Sequence, residues 1–215
     1  MKAEHCTKLR RFPPLNLPSL ENLELSYCSS LENFSEILGK MGNIEKLRLC
    51  ELAIKELPVS FQNLAGLRYL NVNCDFLQLS NIALTPILAI LNAERCKEWK
   101  WVNSKDGEEE MGSTVVSDLL YFQLKSYNLN DDFFPAGFTQ LTTVIYLTLP
   151  ETDITFIPEC IKEFHYLVLL DVNRYRHLQE IRGLPPNLKR FRAIECTSLT
   201  SSGSSMLLNQ VLPCF

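Results

Sequence analysis

Three sets of residues in this chain could do chemistry, and their spacing decides among them. The first is the acid pair Asp131-Asp132, which could act in general acid-base work. It runs straight into Phe133-Phe134-Pro135, a context that reads as a turn rather than a catalytic cleft. The second is the set of eight cysteines with three histidines, His5, His165 and His177. The histidines are scattered and no Cys-x-x-Cys occurs, so the ligand spacing of a zinc site is absent. No Gly-x-x-x-x-Gly-Lys-Ser/Thr, Gly-x-Gly-x-x-Gly, Gly-x-Ser-x-Gly or His-Glu-x-x-His is present, and the eight glycines do not cluster into a phosphate cradle. We therefore expect no catalytic residue, no metal ligand and no cofactor, and a chain that is not an enzyme. The third set is a series of Tyr, Arg, Lys, Asn and Gln side chains that return about every two dozen residues. Their chemistry is recognition.

What positions that third set is a phrase of the form Leu-x-x-Leu-x-Leu. Its clearest copies are Leu20/Leu23/Leu25, Ile44/Leu47/Leu49, Leu67/Leu70/Val72 and Val144/Leu147/Leu149. Looser copies are Leu88/Leu91/Ala93, Leu119/Phe122/Leu124, Leu167/Leu170/Val172 and Leu188/Phe191/Ala193. The spacings between starts are 24, 23, 21, 31, 25, 23 and 21, which reads as two four-repeat blocks separated by an insertion. A phrase of this kind at a period of about 20–29 residues is the signature of a leucine-rich repeat, whose units bury their apolar faces only by stacking. The expected fold is an α/β solenoid: a parallel sheet on the concave side, and irregular or short-helical segments on the convex side. Ala3 to Cys6 repeats the Ala-x-x-Cys of Ala93 to Cys96 and Ala193 to Cys196, which would place the first leucine of that phrase before Met1.

The same frame sorts the remaining residues. Cys6, Cys28, Cys96 and Cys196 all fall eight positions after the first leucine, a slot whose side chain satisfies backbone groups of the turn leaving the strand. Ile54-Lys55-Glu56-Leu57-Pro58 through Leu64 is echoed by Ile154, Ile157-Pro158, Ile161 and Phe164, and more loosely by Phe133, Phe134-Pro135, Phe138 and Leu141, with proline leaving an extended turn. The expected organisation is a repeat domain over 1–200, in blocks of about 20–101 and 119–200. An acidic insertion at about 102–117 carries Asp106-Gly107-Glu108-Glu109-Glu110 and reads as a solvated loop, with a partner-contact or hinge loop as the rival. Trp99 and Trp101 precede it, one expected in the core and one shielding the joint. Residues 201–215 read as a flexible tail.

Composition closes off other classes. A net charge of -4 and a pI near 5.5 exclude a general nucleic-acid binder. The longest apolar run, Ile82 to Leu91, is broken by Thr85 and Pro86 and is far short of the roughly 20 residues that span a bilayer. Met1 to Pro14 carries no secretory signal, so the expectation is the cytosol or nucleus, with no membrane.

In such a solenoid the third, fifth and seventh positions of each phrase face the concave side. From these columns we select Lys46, Arg48, Tyr69, Asn71, Asn92, Tyr121, Gln123, Tyr146, Asp171, Arg190 and Arg192 as the protein-binding face. Tyr69, Ile90, Tyr121, Tyr146 and Leu169 follow one another in the third column, with Lys46 before and Arg190 after. Aromatics rimmed by charge are what protein interfaces use as anchors. The alternative is that those tyrosines only pack against their cross-strand neighbours.

The wording of the repeats resembles one family in particular: plant intracellular immune receptors with a TIR domain, a nucleotide-binding domain and C-terminal leucine-rich repeats. The resemblance rests on the run Leu23 to Phe34, on Glu36 to Met41, Ile54 to Pro58 and Ile181 to Leu188, and on Glu195 to Ser202 followed by Met206 to Gln210. It implies the sensing and autoinhibitory half of such a receptor. The implied partners are a pathogen effector or guarded host protein, and the nucleotide-binding domain of a matching receptor. The family's TIR and nucleotide-binding domains would precede Met1 and its β-sandwich would follow Gln210, so NAD cleavage and ADP or ATP binding carry over to no residue here. Two other readings remain: an inert product of a broken gene, and an extracellular inhibitor-type repeat protein, for which the lone Asn33-x-Ser sequon is thin support.

Overall fold

The computed structural model describes residues 1–55, 57–73, 85, 87–95, 119–125, 129–133 and 141–200, and the backbone of 76–78 and 98–100. Among the described residues thirteen short strands occur in chain order: β1 Lys2–Glu4, β2 Asn22–Ser26, β3 Lys46–Cys50, β4 Tyr69–Asn73, β5 Phe76–Gln78, β6 Ile90–Glu94, β7 Glu98–Lys100, β8 Tyr121–Lys125, β9 Tyr146–Thr148, β10 Phe156–Ile157, β11 Leu169–Asp171, β12 Glu180–Ile181 and β13 Arg190–Arg192. Nine of them form one parallel sheet in the order β1-β2-β3-β4-β6-β8-β9-β11-β13. Its register runs Asn22↔Lys46↔Tyr69↔Ile90↔Tyr121↔Tyr146↔Leu169↔Arg190, third position against third position at every step. All eight phrases are therefore in phase. Lys2 pairs with Glu24, which makes β1 the strand of the Ala3–Cys6 copy.

This register follows from the side-chain period of two along a strand. A slip of one residue would expose every leucine of the phrase. In place, Leu23 and Leu25, Leu47 and Leu49, Phe122 and Leu124, and Leu147 and Leu149 are all at most 3% exposed. The core continues behind the sheet through Phe61, Phe133, Ile154, Ile161 and Phe164, each fully covered. At the two edge strands the covering is incomplete, with Ala3 on β1 and Phe191 and Ala193 at β13 only partly buried.

Opposite the main sheet the described chain is almost free of helix. Two 3-10 turns occupy equivalent places, Val59–Asn63 and Glu159–Glu163, each entered from an extended proline, Pro58 at φ -68° and Pro158 at φ -74°. Each buries one apolar side chain from within the turn, Phe61 and Ile161. Apart from the main sheet, the described chain makes further parallel pairings, Phe156–Ile157 with Glu180–Ile181, Phe76–Gln78 with Glu98–Lys100, and a bridge from Leu15 to Ile37. Arg182 lies over the Phe156 ring there at 3.7 Å. The third turn expected around Phe134 to Phe138 lies outside the described residues, as do the insertion at 102–117, Trp101, the side chain of Trp99 and the tail. Across the insertion the sheet is unbroken, with β6 pairing β8 over five residues.

Asp131, one of the acid pair raised by the sequence, is engaged within a turn. Its carboxylate accepts from the Thr155 N–H at 2.7 Å, the Thr155 hydroxyl at 2.6 Å and the Phe156 N–H at 3.4 Å. It caps the turn of the next repeat, while the Asp132 N–H donates to the Asn130 side chain at 3.2 Å.

Candidate recognition face and exit edge

The concave columns carry two different arrangements. Toward the N-terminus they form a charged lattice. Glu24 lies 3.6 Å from Lys2 and 4.0 Å from Arg48, and the Arg48 guanidinium stands 5.6 Å from the centroid of the Tyr69 ring. The Tyr69 hydroxyl accepts from the Asn92 amide at 3.4 Å, and the Asn92 carbonyl oxygen is buried with no partner. The Cys50 thiol donates to Asn71 at 3.6 Å, and burial pushes that thiol above its ordinary value, with Arg48 opposing. It stays a protonated donor at neutral pH.

Toward the C-terminus the lattice gives way to aromatic surface. Tyr121 and Tyr146 are neighbours in register, with ring centroids 6.3 Å apart and planes inclined by 40°. The Tyr121 hydroxyl donates to Gln123 at 3.1 Å. Both rings are half-buried, so each packs on its neighbour and still presents a face to solvent. Of the eleven residues selected from the sequence, Lys46, Arg48, Arg190 and Arg192 are exposed, and Tyr69, Asn71, Asn92, Tyr121, Gln123 and Tyr146 are half-buried. Asp171 differs: it is 8% exposed, and its carboxylate is engaged by the Asn173 N–H at 3.1 Å and by Arg192 at 3.5 Å. Leu169 is likewise buried, because it lies in register between the longer side chains of Tyr146 and Arg190.

A second surface runs along the edge where each strand leaves the sheet, and the sequence columns missed it. The eighth position of the phrase is left-handed in all seven described copies, at φ 51–63°: His5, Tyr27, Glu51, Arg95, Glu151, Arg174 and Glu195. None is glycine, although a left-handed L-residue costs roughly 1–2 kcal/mol. The sheet imposes it. The N–H of this residue still donates across the ladder, from Tyr27 to Cys50 at 3.0 Å and from Arg174 to Ile194 at 2.7 Å, after which the chain must turn inward. Side chains of this column then meet one another. His5 stacks on Tyr27 at 4.7 Å, Arg95 reaches Glu51 at 2.5 Å, and Arg174 bridges Glu151 at 3.3 Å and Glu195 at 3.2 Å.

The ninth position, just inside, is the cysteine slot. The Cys28 thiol donates to the carbonyls of Ser26 at 3.5 Å and Ala3 at 3.8 Å, and the Cys196 thiol to Val172 at 3.2 Å. These bonds tie one repeat to the one before, as expected; Cys96 lies outside the described residues. Counting the same slot through the second block gives Thr152 and Tyr175. Thr152 is 3% and Tyr175 0% exposed; their hydroxyls lie near each other, and neither reaches a strand carbonyl as the cysteine thiols do. Burial drives the Tyr175 phenol well above its ordinary value, an effect that the nearby Thr152 hydroxyl only tempers. Thr152 forms part of the wall of a cleft of about 580 Å³, together with Asp153, Arg176 and His177 and the Glu151–Arg174–Glu195 ladder.

A parallel sheet of in-phase short strands, with one strand per repeat and one-sided burial, defines a leucine-rich-repeat solenoid. The family described as "Disease resistance protein RPS4B-like, leucine-rich repeats" matches residues 16–202, and the chain belongs to it. It is 28% identical over 206 residues to Disease resistance protein RPS4B of Arabidopsis thaliana, covering 93% of this chain and 16% of that protein. It is 26% identical to TMV resistance protein N of Nicotiana glutinosa, covering 89% of this chain and 21% of that one. A shorter stretch of 70 residues is 41% identical to Disease resistance protein RPS6 of Arabidopsis thaliana. The chain spans about a fifth or less of the length of these relatives. It is thus an immunity-related repeat module, and no described helix is long and apolar enough to cross a membrane.

Proposed function

We propose that this chain is a protein-recognition and regulatory module of plant innate immunity, which senses a pathogen effector or a guarded host protein and holds a matching nucleotide-binding domain inactive. The observation that carries the reading is the concave face around Tyr121 and Tyr146. It offers half-exposed aromatic area, with the exposed Arg190 and Arg192 two strands further along the sheet, on a scaffold shared with resistance proteins. Ligand and nucleotide-binding domain would be coupled through their preference for different states of the receptor. The site of action is the cytosol or nucleus, and the unit works by binding, without a catalytic group or cofactor of its own. The eleven selected residues form its contact face, within a repeat domain of 1–200.

The test is co-purification of the chain with the nucleotide-binding domain of a matching receptor, for wild type and for Tyr121→Ala and Tyr146→Ala. Truncating an anchoring aromatic costs about 2 kcal/mol or more of affinity, roughly thirtyfold in Kd. Unchanged affinity in both variants removes the concave face from consideration. Failure of the wild type to bind any such domain favours the second reading, an inert remnant of a receptor gene.

A further inference from the structure

Each strand of the main sheet is entered through two solvent-side residues in a row. The N–H groups of the second and third positions converge on one carbonyl of the preceding repeat: Leu120 and Tyr121 donate to Ala89 at 2.9 and 3.0 Å, and Ile145 and Tyr146 to Leu120 at 2.9 and 3.0 Å. Two residues set against one acceptor interrupt the alternation of a strand, as a bulge does. The first and fourth positions are therefore buried, Leu119 at 5% and Phe122 at 0%, while the two between them stay outside. The second position thus forms a column of its own beside the third, one that the columns chosen from the sequence leave out.

That column changes character along the sheet. In the first block its ladder runs through Glu21, Glu45 and Arg68, all exposed. It continues through Ala89, Leu120, Ile145 and Val168, of which Leu120 is 44% exposed and the others half-buried. Lys189 ends it, exposed beside Arg190, and neither cation has an ion pair among the described residues. With Tyr121 and Tyr146 alongside, the two columns make an apolar and aromatic band two residues wide and four strands long, charged at both ends. A contiguous apolar patch with a polar rim marks a contact surface.

The step of the band selects the shape of what covers it. Neighbouring strands stand about 4.8 Å apart, so Leu120, Ile145, Val168 and Lys189 follow one another at that interval. An α-helix laid across the strands repeats its apolar face every turn of about 5.4 Å, and drifts by roughly 2 Å over the three steps, within side-chain reach. An extended segment laid the same way repeats a face about every 6.6 Å and drifts by roughly 5 Å, a full strand spacing. The helix fits. Charge complementarity then orders its residues: one apolar side chain per strand, followed by an acidic one where the band meets Lys189 and Arg190.

We infer that this band seats an amphipathic helix of a protein partner, laid across the strands with its apolar face on Leu120, Ile145 and Val168 and an acidic side chain at Lys189 and Arg190. The inference rests on the reading of the chain as a protein-recognition module, and it gives the form of the partner at the concave face.

The experiment titrates the full chain with an acetylated, amidated Ala/Gln peptide of roughly 18 residues, long enough to be helical in part on its own. The peptide carries leucines at i, i+4 and i+7 and a glutamate at i+11. One control reorders the same residues so that the leucines spread around the helix, and a second has lysine in place of the glutamate. Backbone amide signals of 119–121, 145–146, 168–169 and 189–190 report the site. The striped peptide is expected to saturate with a Kd of about 1 mM or tighter, and the reordered control to bind about tenfold or more weakly. Leu120→Glu should weaken the striped peptide about tenfold or more, and because that residue is exposed the variant keeps its fold. An exposed ion pair changes affinity only severalfold, so Lys189→Glu combined with Arg190→Glu should weaken the glutamate peptide severalfold and tighten the lysine control by a similar factor. Four results overturn the inference: no saturation by the striped peptide, equal affinity for the reordered control, wild-type affinity in Leu120→Glu, or no exchange of preference in the charge-reversed variant. A chain that binds a matching nucleotide-binding domain but not the striped peptide loses the helix reading and keeps its recognition role. A chain that binds the peptide through Leu120 but no protein fails the parent reading instead.

Discussion

The slot nine positions into the repeat is filled by Cys28 in the first block and by Thr152 and Tyr175 in two neighbouring repeats of the second, ahead of Cys196 in its last, and the thiol and hydroxyl fillings behave oppositely. Cys28 is fully buried and bonded to carbonyls of two strands. Thr152 and Tyr175 are as deeply buried, but their hydroxyls face each other and engage no carbonyl of a neighbouring strand. Everything beneath the slot is common to both blocks: the leucine register, the left-handed residue before it, and the proline-led 3-10 turn. What the blocks share is therefore what closing a repeat requires. Where they differ, the requirement has been relaxed.

The strictness of the shared part is open to a direct challenge at its closest backbone approach. A Cβ placed on Gly66 would sit 2.1 Å from the Gly42 carbonyl oxygen and 2.7 Å from its carbon. No rotamer relieves a clash with backbone, so Gly66→Ala must spread two repeats of the first block, at an expected cost of about 3 kcal/mol or more. At Gly183 in the second block the added carbon would stand 3.2 Å from Glu159 and from the Lys162 side chain. The Lys162 chain can swing away and the turn can shift a few tenths of an ångström, so Gly183→Ala should cost less than about 1.5 kcal/mol. Urea denaturation midpoints measure both. Equal losses would show that the two blocks are stacked alike at these points and that the contrast stops at the slot.

Most of the shared architecture was legible because it is periodic. Leucines two apart must face one side of a strand, and their period fixes the phase of each strand, so the register could be written down from the starts alone. The cysteine slot and the proline turns were readable for the same reason. Three features were not. The left-handed eighth position carries Tyr27, Glu51 or Arg174, none of which announces a positive φ. The geometry comes from the ladder, a tertiary effect that overrides local preference. The short second pairings such as Phe156–Ile157 with Glu180–Ile181 are too brief to leave a pattern. Asp171 was selected as an exposed contact, but the Asn173 N–H and Arg192 engage it, and a cross-strand partner in another repeat is invisible to a column of single letters. Thr152 and Tyr175 could have been found by following the cysteine slot into repeats that lack cysteine.

The Tyr175 phenol gives the contrast a pH signature. Its folded value is raised above the ordinary 10.0 by burial. In the range above pH 10 the unfolded chain has therefore lost this proton while the folded chain keeps it. Stability contributed by the neutral phenol is fully present below pH 10 and falls as pH rises beyond it, at up to about 1.4 kcal/mol per pH unit. Cys196 adds to the same direction from its ordinary 9.0 upward, since burial raises its thiol too. Thermal midpoints of wild type and Tyr175→Phe, measured from pH 8 to 11, isolate the tyrosine: the wild type should lose stability faster above pH 10, and the variant should not. Parallel curves would mean that the phenol reaches solvent in the folded state.

The smallest effect is the one that addresses the slot itself. Cys28→Ala removes two sulfur hydrogen bonds and leaves a small void between repeats, for an expected loss of about 1–2 kcal/mol. Thr152→Val removes only a hydroxyl with no partner and replaces it with a methyl of nearly the same size. Such a swap is ordinarily costly because a buried hydroxyl is bonded. Here the desolvated oxygen meets only the Tyr175 hydroxyl, outside good hydrogen-bond geometry, so its loss should leave the thermal midpoint unchanged or raise it slightly, by up to about 1 kcal/mol in stability. The two variants, heated side by side without any added ligand, should therefore move in opposite directions. If Thr152→Val is destabilised as much as Cys28→Ala, the threonine hydroxyl already has a hydrogen-bond partner in the free protein, the Tyr175 hydroxyl, and the second block closes its repeats as tightly as the first.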